Sequence, residues 1–141
     1  MDDDDNKAAR ASGSLPRLLV VDDNEDMRQT MKRLLERLGY EVEIAANGAH
    51  ALEMQARVAA DVLITDIFMP DTDGLETINL FKASFPRVKI IAMSGGGASI
   101  READYLSTAS VVGADAVLRK PFSKESLLEA LQGLEKSKSE G

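Results

Sequence analysis

The sequence predicts an α/β domain of the doubly wound class, with parallel strands in one sheet and helices on both of its faces. Three observations predict it. Short apolar runs rich in β-branched residues alternate with amphipathic stretches of helical period, giving five strand–helix units in about 120 residues. Regular alternation of this kind is satisfied by parallel strands joined through helical crossovers. The chain of 141 residues holds one domain of ordinary size, and its 44% hydrophobic and 29% charged residues suit a folded globular protein.

Leu18–Val21 has the composition of a buried parallel strand. Glu25–Leu38 places Met27, Met31, Leu34, Leu35 and Leu38 on one helical face, and Gly39 stands where a helix-terminating glycine belongs. Glu41–Ala45 is the second strand, with Val42 and Ile44 alternating against charge. Gly48–Val58 is the second helix, capped by Asn47. Asp61–Thr65 is the third strand, and Gly74–Ser84 the third helix, which stops before Pro86. Val88–Met93 is the fourth strand and Ile100–Val112 the fourth helix. Ala116–Leu118 is a short fifth strand. Glu125–Leu134 is the fifth helix, with Leu127, Leu128, Leu131 and Leu134 on one side and Ser123 as its cap.

The folded domain is expected over residues 15–135. Met1–Ser14, with four consecutive aspartates, reads as a disordered leader or a tag remnant, and Lys136–Gly141 as a flexible polar tail. The absence of cysteine excludes disulfide scaffolds, thiol catalysis and cysteine-based zinc sites, and the single histidine, His50, cannot build a histidine-rich metal site. No apolar run approaches the roughly 20 residues a membrane-spanning helix needs, and no secretory signal is visible, so a cytoplasmic protein without membrane insertion is expected. The net charge is −7. The first fourteen residues carry −2 of it, leaving an acidic body that repels phosphate backbones and suits divalent cations or basic partners rather than nucleic acid.

In a doubly wound sheet, ligands bind beyond the carboxyl ends of the strands. The first strand ends in Asp22-Asp23, the third at Thr65 and Asp66, and the fourth at Ser94 before Gly95-Gly96-Gly97; Arg119, Lys120 and Pro121 follow the fifth. Three carboxylates, a hydroxyl and an ammonium thus converge on one edge. Three adjacent carboxylates repel, and a hard divalent cation such as Mg²⁺ relieves the repulsion. Taken alone, Asp22-Asp23 equally suits a helix N-cap. Asp66, after the apolar run Val62–Ile64, is either a turn former or a nucleophile toward phosphorus. Asp71 and Asp73 lie in a turn that Pro70 and Gly74 punctuate and are read as structural. Ser94 can donate to a phosphoryl oxygen, and Lys120 can meet phosphate as a point charge; each is otherwise an ordinary surface residue. The glycine run at Gly95 reads first as mobility.

These residues resemble the receiver domain of two-component response regulators. The resemblance covers about Pro16 to Leu134. It rests on Val20-Val21-Asp22-Asp23-Asn24, on Asp66-Ile67-Phe68-Met69-Pro70-Asp71-Thr72-Asp73-Gly74, on Met93-Ser94-Gly95 and on Lys120-Pro121-Phe122, in that order and spacing. It implies a flavodoxin-like sheet of order 2-1-3-4-5 with five helices. It implies that Asp66 is the phosphoacceptor, that Asp22, Asp23, Asp66 and the main-chain carbonyl of Phe68 hold Mg²⁺, and that Ser94, Gly95 and Lys120 serve phosphate binding and switching. Pro70, Gly74 and Pro121 are then structural, with a cis bond between Lys120 and Pro121. The implied partners are a sensor histidine kinase or a histidine phosphotransfer protein and an unknown downstream protein target. Chemistry is confined to the protein's own phosphorylation and dephosphorylation: Asp22, Asp23 and Asp66 carry −3, which Mg²⁺ and Lys120 balance while one Asp66 oxygen attacks in line.

In that family an aromatic side chain three residues before the lysine couples the phosphate to the surface. Here that position is Val117, so Tyr105 or Phe122 could take part instead. A stand-alone receiver with no output domain after the fifth helix is expected, with an excised receiver as the alternative, and signalling by protein contact is expected; the last two helices could carry a homodimer interface or a target surface. Two alternatives stand beside this reading. One is a pseudo-receiver that binds partners without being phosphorylated. The other is a phosphohydrolase with an aspartate nucleophile, which is disfavoured because Phe68 stands where the general acid is needed.

Overall fold

In the computed structural model, which describes residues 15–67, 74–94, 113–120 and 122–140, the apolar runs form five strands and the amphipathic stretches form helices. The strands are β1 (Arg17–Val21), β2 (Glu41–Ala45), β3 (Val62–Asp66), β4 (Lys89–Ser94) and β5 (Ala116–Arg119). The helices are α1 (Glu25–Arg37), α2 (Gly48–Arg57), α3 (Gly74–Ser84) and α4 (Lys124–Glu140). All four strand pairings are parallel, and the sheet order is β2-β1-β3-β4-β5, as the resemblance implies.

The helix count is a correction. Four helices, not five, stand among the described residues. The expected helix Ile100–Val112 lies outside them, in the stretch with the weakest helical signal: Ser107, Thr108, Ser110, Val111 and Val112 are all poor helix formers. α4 also differs from expectation, since its backbone stays helical to Glu140 where a polar tail was expected from residue 136. No glycine or proline lies between Glu135 and Glu140 to interrupt the hydrogen-bond ladder, and lysine and glutamate propagate helix well.

Strand alternation divides the core in two. On one face Leu18, Val20, Val42, Ile64, Ile91, Met93 and Leu118 pack against Met31 and Leu35 of α1 and Leu127 and Leu131 of α4. On the other, Leu19, Val21, Leu63, Ile90 and Ala92 pack against Ala51 of α2 and Ile78 and Phe81 of α3. β3 is buried along its whole length, the expected state of a central parallel strand covered on both faces.

Helix entries and exits are fixed locally. The Asn24 side chain accepts from the Met27 N–H at 2.9 Å and caps α1, so neither Asp22 nor Asp23 is the cap. Asn47 caps α2 through the His50 N–H, and Ser123 caps α4 through the Ser126 N–H. Gly39 ends α1 at φ +100°, the left-handed conformation a side chain strains to adopt.

Gln55 of α2 is buried, and its amide pairs with both backbone groups of Ala60, accepting from the N–H and donating to the carbonyl at 3.0 Å each. These bonds fasten the chain just before β3. Gln55→Leu keeps the side-chain volume but leaves a buried donor and a buried acceptor unpaired. It is expected to destabilise the fold by about 2–4 kcal/mol, measured by urea denaturation.

Candidate functional site

The register of the sheet brings the ends of the strands level. Val21 pairs with both Ala45 and Thr65, Asp66 with Met93, and Ser94 with Arg119. Asp22, Asp66, Ser94 and Lys120 therefore fall along one edge, as the strand assignments require.

Asp22 and Asp66 are buried there, and Asp23 is exposed between β1 and α1. Carboxylate oxygens of the three lie within 4.8 Å of one another. Lys120 joins two of them: its Nζ donates to Asp22 Oδ2 at 2.8 Å and to Asp66 Oδ2 at 3.1 Å. The other Asp22 oxygen accepts from the Asn24 N–H at 2.9 Å, and the Asp22 main chain donates to the Ala45 carbonyl. The Arg28 guanidinium donates to the Asp22 carbonyl at 2.7 Å. On β3, the buried Thr65 hydroxyl donates to the Asp66 carbonyl, and the Ile67 N–H to that of Met93.

Burial would by itself lower the pKa of Lys120. The hydrogen bond to Asp22 and the charges of Asp66 and Asp22 outweigh it, and the ammonium is held above its ordinary value of 10.5. Because the folded-state value is raised, the stabilisation this lysine provides is complete at neutral pH and is lost only as pH rises above the unfolded value.

One ammonium against three carboxylates leaves the cluster at −2, the charge a divalent cation brings to neutrality. The three aspartates thus form an acidic cluster able to coordinate a metal ion.

The structure therefore unites Asp22, Asp23, Asp66 and Lys120. Ser94 ends β4 beside them in the backbone, and Gly74 opens α3. Val117 lies half-buried in β5, in register with Ala92, and Phe122 packs against the core beneath α1 and α4. Phe68, Pro70, Gly95, Tyr105 and Pro121 lie outside the described residues. Arg28 was not anticipated. A basic residue in the first turn of a helix carries no sequence signal that it reaches back to a strand end.

A parallel doubly wound sheet with a lysine-bridged acidic cluster at its carboxyl edge is the arrangement that the resemblance to receiver domains implies. Residues 18–132 match the response regulator receiver domain, and the chain belongs to that family. Among curated relatives, response regulator MprA of Mycobacterium leprae is 36% identical over 118 residues, which cover 84% of this chain and 50% of that protein. The transcriptional regulatory protein TrcR of Mycobacterium tuberculosis is 34% identical over 125 residues, 89% of this chain and 47% of that protein. The chain thus spans about half the length of the curated relatives it matches. Among solved structures, the chemotaxis protein CheY4 of Vibrio cholerae superposes with a TM-score of 0.75 at 32% identity, covering 84% of this chain and 98% of that one. A CheY-like receiver domain protein of Methanospirillum hungatei gives 0.79 at 33% identity, covering 91% and 100%. The chain is thus a receiver domain of two-component phosphorelay signalling. No helix among the described residues is long and apolar enough to cross a membrane.

The charge imbalance predicts opposite effects of two substitutions when divalent cations are chelated. Lys120→Met removes the cation that two buried carboxylates share and is expected to cost about 3–5 kcal/mol. Asp23→Asn relieves repulsion without breaking the lysine bridge and is expected to raise Tm by roughly 2–4 °C. Thermal melts in EDTA, at low and high salt, measure both.

Proposed function

We propose that Asp66 receives a phosphoryl group from a phosphohistidine on a sensor histidine kinase or a histidine phosphotransfer protein. The observation that carries this reading is the Lys120 ammonium bonded at once to Asp22 and Asp66 within the three-carboxylate cluster. Asp22, Asp23 and Asp66, with the main-chain carbonyl of Phe68, would hold Mg²⁺. Bound there, Mg²⁺ supplies positive charge for the phosphoryl oxygens during transfer.

The remaining chemistry belongs to the chain. An Asp66 oxygen attacks phosphorus in line. The new phosphorus–oxygen bond forms as the phosphorus–nitrogen bond breaks, and the electron pair of the broken bond stays on the imidazole nitrogen. Lys120, already within hydrogen-bond distance of Asp66, is placed to meet the negative oxygens of the phosphoryl group without moving far. Ser94, at the end of the adjacent strand, donates a further hydrogen bond, and Gly95 follows it at the phosphate-binding edge. Water later hydrolyses the acyl phosphate. Val117 leaves no aromatic ring behind the site in β5, so signalling would run through Tyr105 or Phe122 to an unknown downstream protein in the cytoplasm.

Incubation with Mg²⁺ and acetyl phosphate, followed by intact mass, tests the reading. One phosphoryl adduct is expected, absent from Asp66→Asn and from a metal-free sample. A folded wild-type protein that gains no adduct from either acetyl phosphate or a phosphorylated histidine partner would overturn it, in favour of a domain that works by binding alone.

A further inference from the structure

The carbonyl of Asp22 stands where β1 has run out of strand partners. The register of β1 with β3 ends at Val21–Thr65, and Asp22 is fully buried. A buried carbonyl must be satisfied, and it is satisfied by a guanidinium from six residues on: Arg28 Nη1 donates to it at 2.7 Å. Three more bonds close the same segment. The Asn24 N–H donates to Asp22 Oδ1 at 2.9 Å, the Met27 N–H to Asn24 Oδ1 at 2.9 Å, and the Arg28 N–H to the Asn24 carbonyl at 3.0 Å. Asp23 sits inside this closed segment. Its side chain is exposed, yet one of its oxygens lies within 4.8 Å of those of Asp22 and Asp66. Asp23 is joined to Asp22 by the peptide whose carbonyl Arg28 holds.

We propose that Arg28 is a positioning residue for the metal site: by clamping the Asp22–Asp23 peptide it aims the Asp23 carboxylate at the point Asp22 and Asp66 share. The proposal rests on the reading of these three aspartates as Mg²⁺ ligands. Charge and geometry give Arg28 opposite effects, which makes the proposal sharp. A cation beside a cation site repels the metal, so by charge alone its removal tightens Mg²⁺ binding. If Arg28 acts by positioning, its removal weakens binding, because a loosened ligand must be ordered when the metal arrives.

Calorimetric Mg²⁺ titration of the unphosphorylated protein distinguishes the two. Arg28→Met, which keeps the apolar stem, is expected to raise the Kd about tenfold, within the range for partners that orient metal ligands. Arg28→Lys, which keeps a charged donor, is expected to recover most of that loss. Arg33→Met, which removes a charge from the exposed face of the same helix, is the charge control and is expected to change Kd little. In metal-free protein, amide exchange at Asp23 and Asn24 should quicken in Arg28→Met while the sheet stays protected. At saturating Mg²⁺, the rate of phosphorylation by acetyl phosphate should approach that of the wild type. A folded Arg28→Met whose Mg²⁺ affinity equals or exceeds the wild type overturns the proposal alone. Wild-type protein that binds no Mg²⁺ overturns the metal reading and the proposal with it. If Arg28→Met does not fold, Arg28→Lys and Arg28→Gln carry the comparison: affinity at or above the wild type in Arg28→Gln overturns the proposal, and a loss confined to Arg28→Gln supports it.

Discussion

The contact on which the site depends joins residues 98 and 54 positions apart in sequence: Lys120 bonded to Asp22 and to Asp66. Two carboxylates have been taken out of water, and each would cost several kcal/mol if left unpaired. The lysine offsets that cost only because three strand ends are level. Parallel pairing makes them so. All strands point the same way, the register carries Val21, Thr65 and Met93 to one edge, and the next residues along it are Asp22, Asp66 and Ser94. An antiparallel arrangement of the same strands would scatter these side chains to both ends of the sheet.

The frame behind that contact is apolar and was legible in the sequence. The runs at Leu18–Val21 and Val62–Ile64 are hydrophobic on both faces, and the structure buries both faces, one under α1 and α4 and the other under α2 and α3. The candidate aspartates were legible for the same reason, since each interrupts an apolar run at its last position, where a strand must end. What escaped the sequence was whatever depends on the angle at which one element leaves another. Asn24 rather than Asp22 or Asp23 caps α1, because Asp22 is withdrawn into the sheet edge and its carboxylate is already committed to Lys120 and the Asn24 N–H. Arg28 reaches back to β1 for the same geometric reason, and no periodicity encodes that. The backbone of α4 runs on to Glu140 because Glu135–Glu140, though polar, contains no residue that breaks a helix.

The strands that carry the charged groups are not equally constrained. β1 and β3, which deliver Asp22 and Asp66, each pair on both sides, and β3 is wholly buried. β5, which delivers Lys120, is an edge strand; among the described residues it pairs with β4 alone, and it spans four residues. The acidic frame is therefore the rigid half of the site and the lysine arm its less anchored half. Lys120 divides its hydrogen bonds between two carboxylates, so a change in charge at Asp66 alters the balance of those bonds before it disturbs the strands that hold the acids. A ligand or modification shifts a conformation only by its differential interaction with the states available. Here that difference is concentrated on one ammonium at the margin of the sheet, beside the half-buried Val117 rather than against a large ring.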